Sequence, residues 1–121
     1  MEKIIEIDDQ LIILKSHAGV PIRYKQFFQT DFFSDVLKLS KSVENMGSED
    51  GLDDLSYEQI DNLELEIVYR LVWLFAKMAD KSIPPLAEWL EGFDEFPLED
   101  IIPEITDMLT GLMKKKQKTK K

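Results

Sequence analysis

Few residues in this chain could do chemistry. There is one histidine, His17, and no cysteine. A Ser-His-Asp relay would need His17 as its base, but His17 opens the linker His17-Ala18-Gly19-Val20-Pro21, and no Gly-x-Ser-x-Gly turn presents a nucleophile. No glycine-rich phosphate loop occurs. Without cysteine, neither a disulfide framework nor a Cys-ligated zinc site can form. Glu49, Asp50, Asp53 and Asp54 invite a metal reading. They fail the calcium-loop pattern, which needs acids at alternate positions with a central glycine and a terminal glutamate, so they read as a solvated acidic loop. Glu64 and Glu91 are helical acids that nothing in the sequence brings into one cleft, as an acid–base pair would require. The expectation is a protein without catalytic residues, cofactor or metal, acting through contacts.

Charge narrows the partners. The chain has 121 residues and a net charge of −9, distributed unevenly. Residues 114–121 hold six of the 15 basic groups and none of the 24 acids, which leaves nine basic against 24 acidic groups, a net of −15, before Lys114. Such a body repels nucleic acid and anionic membrane and suits partners with basic or apolar surfaces, or simply keeps the chain soluble. The lysine tail has phosphate-binding or nuclear-address chemistry but no aromatic residue to stack a base, so it reads as a solubilising tail. Candidate contacts are Trp89, Phe93 and Phe96, which stand on short elements near prolines. There they either finish the core, the first expectation, or face a partner. Ile5 and Ile13 join them as candidates on a strand pair.

The elements that must position these residues are organised around one helix. From Ile67 to Ala79 only Arg70 and Lys77 are charged. A helix apolar on all sides is surrounded by protein or lipid, and a spanning helix needs about 20 predominantly apolar residues, so this one is a buried central helix. Ser56 is placed as its N-cap, with Gln59 at N3 and Leu55 and Ile60 as a hydrophobic staple. Asp80-Lys81-Ser82 followed by Pro84-Pro85 ends it.

Around it, residues 3–16 predict a β-hairpin turning at Asp8-Asp9-Gln10. A lone hairpin is marginal in water, so it must lie on the helices or pair with another chain. Ile22, Phe27, Phe28, Phe32, Phe33, Val36, Leu37 and Val43 recur at helical steps. They predict an amphipathic helix to about Val43, with a break left open at Gln29-Thr30-Asp31, where Thr30 would cap a second piece. The phenylalanines are expected to fill the core. An acidic, glycine-spaced mobile loop is expected over 45–55. A short helix over Leu86–Glu91 follows, opened by Pro85 and stopped by Gly92, then the connector Phe93–Phe96. The last helix begins near Pro97 or Leu98, and Pro103 either kinks it or restarts it. Its last turn should reach the lysines. The fold class is therefore mainly α (α+β): an N-terminal hairpin packed on a bundle of about four helices with one central buried helix. Residues 1–113 make one domain and 114–121 a disordered Lys-rich tail. The start Met1-Glu2-Lys3-Ile4 has no secretory pattern, which predicts a cytoplasmic protein.

In order, these segments resemble a known family. After the hairpin come Pro21-Ile22-Arg23-Tyr24-Lys25-Gln26-Phe27 and Asp31-Phe32-Phe33-Ser34-Asp35-Val36-Leu37. Beyond the acidic loop follow Leu71-Val72-Trp73-Leu74-Phe75-Ala76-Lys77-Met78-Ala79-Asp80, Pro84-Pro85-Leu86-Ala87-Glu88-Trp89-Leu90 and Phe93-Asp94-Glu95-Phe96-Pro97. The chain is similar, from Ile4 to about Leu112, to the tail assembly chaperones of long-tailed bacteriophages and prophages of Gram-positive hosts, most specifically between Trp73 and Pro97. The resemblance implies a small, non-enzymatic, mostly helical protein of the host cytoplasm. It would coat the tape measure protein in many copies, keep it soluble, help tail tube subunits polymerise around it, and be absent from the mature virion. It also implies, in many members, a ribosomal frameshift that appends a domain recruiting the tube (major tail) protein. Lys114-Lys115-Lys116, necessarily encoded by A-rich codons, are the candidate slippage site. Members often carry glycine just after the Phe that ends the Arg-Tyr segment, where this chain has Phe28-Gln29-Thr30. The expected partners are the tape measure protein, the tail tube protein and further copies of this chain, with no nucleic acid and no membrane. The alternative function is a small acidic phage or prophage regulator that binds and blocks a host protein.

Overall fold

The computed structural model describes residues 1–46 and 64–113, the side chains of 43–46 excepted. The expected acidic loop beyond Met46, with Glu49, Asp50, Asp53 and Asp54, and the lysine tail lie outside the described residues. Strands β1 (Glu2–Ile7) and β2 (Gln10–Lys15) form an antiparallel hairpin, followed by α1 (Val20–Phe28), α2 (Phe32–Met46), α3 (Leu65–Ala79), α4 (Leu86–Glu91) and α5 (Leu98–Met113). The fold is mainly helical, with the N-terminal hairpin packed on the helices.

In the hairpin, Ile4 faces Ile13, Ile5 faces Ile12, and Glu6 faces Leu11 across the ladder. Opposed residues share a face and successive residues alternate. Ile5, Ile7 and Leu14 therefore enter the core, while Ile4, Leu11 and Ile13 point outward. The two turn residues, Asp8 (φ 53°) and Asp9 (φ 66°), are both left-handed, as a tight hairpin turn demands. Aspartate reaches that region at less cost than most residues because its short side chain bonds locally. Here the Asp8 carboxylate accepts the backbone N–H of Asp94 at 2.9 Å, tying the turn to the α4–α5 connector. Lys3 clamps β1 to α5 through Glu104 (2.9 Å) and Asp107 (2.8 Å).

Helix α3 is central. Leu71 to Ala76 are buried without interruption, as are Ile67 and Val68, and β2, α1, α2, α4 and α5 all pack on it. It begins at Leu65 with Glu64 in the N-cap position and no side-chain cap. That corrects the start placed after Ser56. Ser56, Gln59, Leu55 and Ile60 themselves lie outside the described residues. Its end is held by side chains. Asp80 accepts the backbone N–H (3.0 Å) and the hydroxyl (2.7 Å) of Ser82, which keeps its carboxyl below the ordinary value. Lys77 donates to the carbonyls of Lys81 and Ile83, and the Trp73 indole to the Pro84 carbonyl at 2.8 Å.

The long amphipathic helix divides at Gln29, whose φ of 63° is left-handed. The chain thus has five described helices where about four were expected. Thr30 is not the cap of the second piece. Asp31 is, accepting the Ser34 N–H at 2.9 Å. The break separates two inward stripes, Val20-Tyr24-Phe28 on α1 and Phe32-Val36-Leu39 on α2. Because they do not continue one another, Ile22 (65% exposed), Phe27 (44%), Phe33 (48%) and Leu37 (59%) stand on the surface. The expectation that all four phenylalanines fill the core is corrected by this division; only Phe32 is fully buried. Helix α5 runs unbroken through Pro103, with no restart there. Pro103 and Glu99 are exposed, so the carbonyl that loses its partner to proline faces water.

Candidate protein-binding faces

A buried polar cluster joins α1, α2 and α3. The Tyr24 hydroxyl donates to Asp35 Oδ2 at 2.7 Å, and the Thr30 hydroxyl donates to the same oxygen at 2.8 Å. Arg70 Nη1 lies 3.4 Å from that oxygen, Nη2 pairs with Glu66 at 2.7 Å, and the guanidinium lies 5.2 Å from the centre of the Phe28 ring. Burial, and next the Asp35 bond, push the Tyr24 hydroxyl well above the ordinary tyrosine range. A buried charge is costly unless paired, and among the described residues every buried side-chain polar atom has a partner. This cluster fixes three helices rather than presenting a reactive group. Sequence reading missed it, although Arg70 within an apolar helix was the signal that a carboxylate must come from elsewhere.

The residues singled out as contacts divide between interior and surface. Ile5 is buried on the inner face of β1, so it is no surface contact. Ile13 is half exposed and sits outward beside Ile4 and Leu11. Trp89 is buried and meets Phe93 edge-on at 5.0 Å, while Phe96 meets Tyr69 at 5.2 Å. With Phe93 and Phe96 partly buried against the core, these aromatics close one side of α3. Glu64 and Glu91 are exposed. His17 accepts the Gly19 N–H on its Nδ1 at 3.0 Å, a local turn bond.

Among the described residues three apolar faces remain on the surface. One is the outer face of the hairpin. A second lies on α1 and α2 around Ile22, Phe33 and Leu37, with a hollow of about 360 Å³ that Pro21, Ile22 and the two phenylalanines Phe32 and Phe33 help to line. The third is a groove over α3. A hollow of about 310 Å³ is lined by Phe27, Phe28, Trp73, Lys77, Pro85 and Leu86. Beside it is one of about 180 Å³ lined by Arg23, Phe27, Lys77, Met78 and Lys81. Trp73 meets Phe27 edge-on at 4.9 Å and Phe28 at 5.6 Å. Sequence reading placed Phe27 in the core and did not identify this groove.

Compared with protein-family models, curated proteins and solved structures, the chain matches none. Among the described residues no helix is long and apolar enough to cross a membrane, and no group of three or more His, Cys, Asp or Glu is placed to hold a metal ion.

Proposed function

We propose that this chain is a tail assembly chaperone of a long-tailed bacteriophage or prophage. It coats the tape measure protein, keeps it soluble in the host cytoplasm, helps tail tube subunits polymerise around it, and leaves before the virion is complete. It does so without enzymatic chemistry. One observation carries the reading beyond the resemblance of segments. A strongly acidic body exposes bulky apolar side chains on three faces: Ile4, Leu11 and Ile13; Ile22, Phe33 and Leu37; and Phe27. Apolar patches rimmed by polar residues mark interaction surfaces. A chaperone that coats a long apolar client in many copies needs faces for client and for neighbouring copies, and net charge to keep the assembly in solution.

Co-expression with the tape measure protein encoded downstream tests this. The client should move from the insoluble to the soluble fraction and co-purify with the chain; a client equally insoluble with and without it would overturn the reading. A tail tube gene upstream and a very long tape measure gene downstream are the expected gene neighbours. In this reading a minority of chains continue past Lys114-Lys115-Lys116 in another frame and recruit the tube subunit. Synonymous recoding of the A-rich run should abolish a longer immunoblot product and leave the short chain unchanged. Absence of the longer product before recoding would remove the frameshift.

A further inference from the structure

We propose that the groove over Phe27 and Trp73 is a docking site for a peptide segment that inserts bulky apolar side chains flanked by carboxylates. The two hollows share Phe27 and Lys77, so they form one groove divided by the Phe27 ring. Its floor is aromatic, and aromatic pockets are where interface energy concentrates.

Charge selects the occupant. Before Lys114 the chain has nine basic groups against 24 acids, yet Arg23, Lys77 and Lys81 stand at this groove and, among the described residues, no carboxylate lines either hollow. Lys3 and Arg70 are engaged with acids; other lysines are as unpaired among the described residues as these three, and what sets the groove apart is that it gathers three cations around one apolar hollow. Among the described residues Arg23, Lys77 and Lys81 make no ion pair within 4.0 Å; the Asp80 carboxylate is hydrogen-bonded to Ser82 and acts on Lys77 only through charge at longer range. Lys77 is held in place by two backbone carbonyls, so its ammonium needs little further ordering when a ligand arrives. The acidic body opposes an acidic ligand at a distance. That field is screened beyond about 8 Å at physiological salt, and at contact the local cations prevail.

The proposal deepens the chaperone reading by naming a client-binding face and the client chemistry, and it rests on that reading only for the client's identity. Two fluorescein-labelled amphipathic helical peptides with the same Leu and Phe anchors, one flanked by Glu and one by Lys, are titrated with the full chain by anisotropy. The Glu peptide should bind saturably, more weakly as salt rises, and at least about tenfold tighter than the Lys peptide. Arg23→Glu with Lys81→Glu should weaken the Glu peptide about tenfold or more and shift preference toward the Lys peptide. Phe27→Ala should weaken both peptides. If Phe27→Ala fails to fold, the charge-reversal pair, confined to exposed side chains, decides. Thr110→Ala, exposed on α5 and outside all three apolar faces, should leave binding unchanged. No saturable binding of the Glu peptide, equal affinity for the two peptides, or unaltered affinity after charge reversal would overturn the proposal. Because no phage protein is used, peptide binding that persists while tape measure solubility is unaffected would count against the chaperone reading alone.

Discussion

The phenolic oxygen of Tyr24 on α1 lies 2.7 Å from Oδ2 of Asp35 on α2, and the pair is buried where Arg70 of α3 reaches it. Tyr24→Phe removes the donor while Thr30 and Arg70 still serve the carboxylate. A hydrogen bond to a charged acceptor contributes about 1.5–3 kcal/mol, so the denaturation midpoint at neutral pH should fall accordingly. Asp35→Ala should cost more, because it leaves Arg70 partly buried without its second acid.

The same pair gives an alkaline dependence. The folded-state pKa of Tyr24 is raised above the ordinary 10.0, by burial first and then by Asp35. The folded chain therefore keeps a proton that the unfolded chain releases. The Tyr24 contribution is fully present below the unfolded pKa and is lost as pH rises through the folded one. Stability should decline above about pH 10, and Tyr24→Phe should flatten that decline. Tyrosinate absorbance that develops for all three tyrosines before unfolding begins would count against it.

Trp73 is buried at 4% exposure and donates to the Pro84 carbonyl. Trp73→Ala should cost about 3–5 kcal/mol in thermal or denaturant melts. Trp73→Phe keeps most of the apolar body and should cost less, chiefly the indole bond and the partner it leaves at Pro84.

Gln29 ends α1 in a left-handed conformation. That region costs an L-residue about 1–2 kcal/mol. Glycine avoids this cost, although its greater freedom in the unfolded chain returns up to about 1 kcal/mol. Gln29→Gly should therefore stabilise the chain by about 0.5 kcal/mol, read from the denaturation midpoint. A clear loss would mean that the Gln29 side-chain bond to the Gln26 carbonyl matters more than the backbone.

Self-association through the hairpin is tested with outward residues only. Ile4→Glu and Ile13→Glu place like charges opposite one another on the exposed face, so both single variants are preferable to the pair. Light scattering should show each shifted toward monomer at high concentration with its melt little changed. Association as strong as wild type would place the contact on another face. Ile5 is unsuitable for this test, because a charge there enters the core.

The order of elements was legible because most boundaries have a local cause; the start of α3, expected after Ser56 and found at Leu65 without a side-chain cap, is the exception. Alternating isoleucines made the strands, an uninterrupted apolar run made α3, and Pro84-Pro85, Gly92 and Pro97 bounded the short pieces after it. Local chemistry also marked the break near Gln29, but not that Asp31 would be its cap, since both Thr30 and Asp31 are good capping residues. The candidate site was far less legible. Ile5 and Ile13 have the same side chain on paired strands, and Phe27 and Phe28 are neighbours on one helix. Which of them meets the core depends on register and on the direction a helix axis takes after a turn, and no local propensity encodes either. Sequence by itself therefore determined the helical class, the hairpin and the central helix, because those follow from periodicity and from short-range hydrogen bonding. Only the tertiary structure decided that Tyr24, Asp35 and Arg70 would meet, and that Phe27 would roof an aromatic groove beside Arg23, Lys77 and Lys81. Both depend on how α1 and α2 are set against α3 after the left-handed turn at Gln29, a relation between segments distant in sequence.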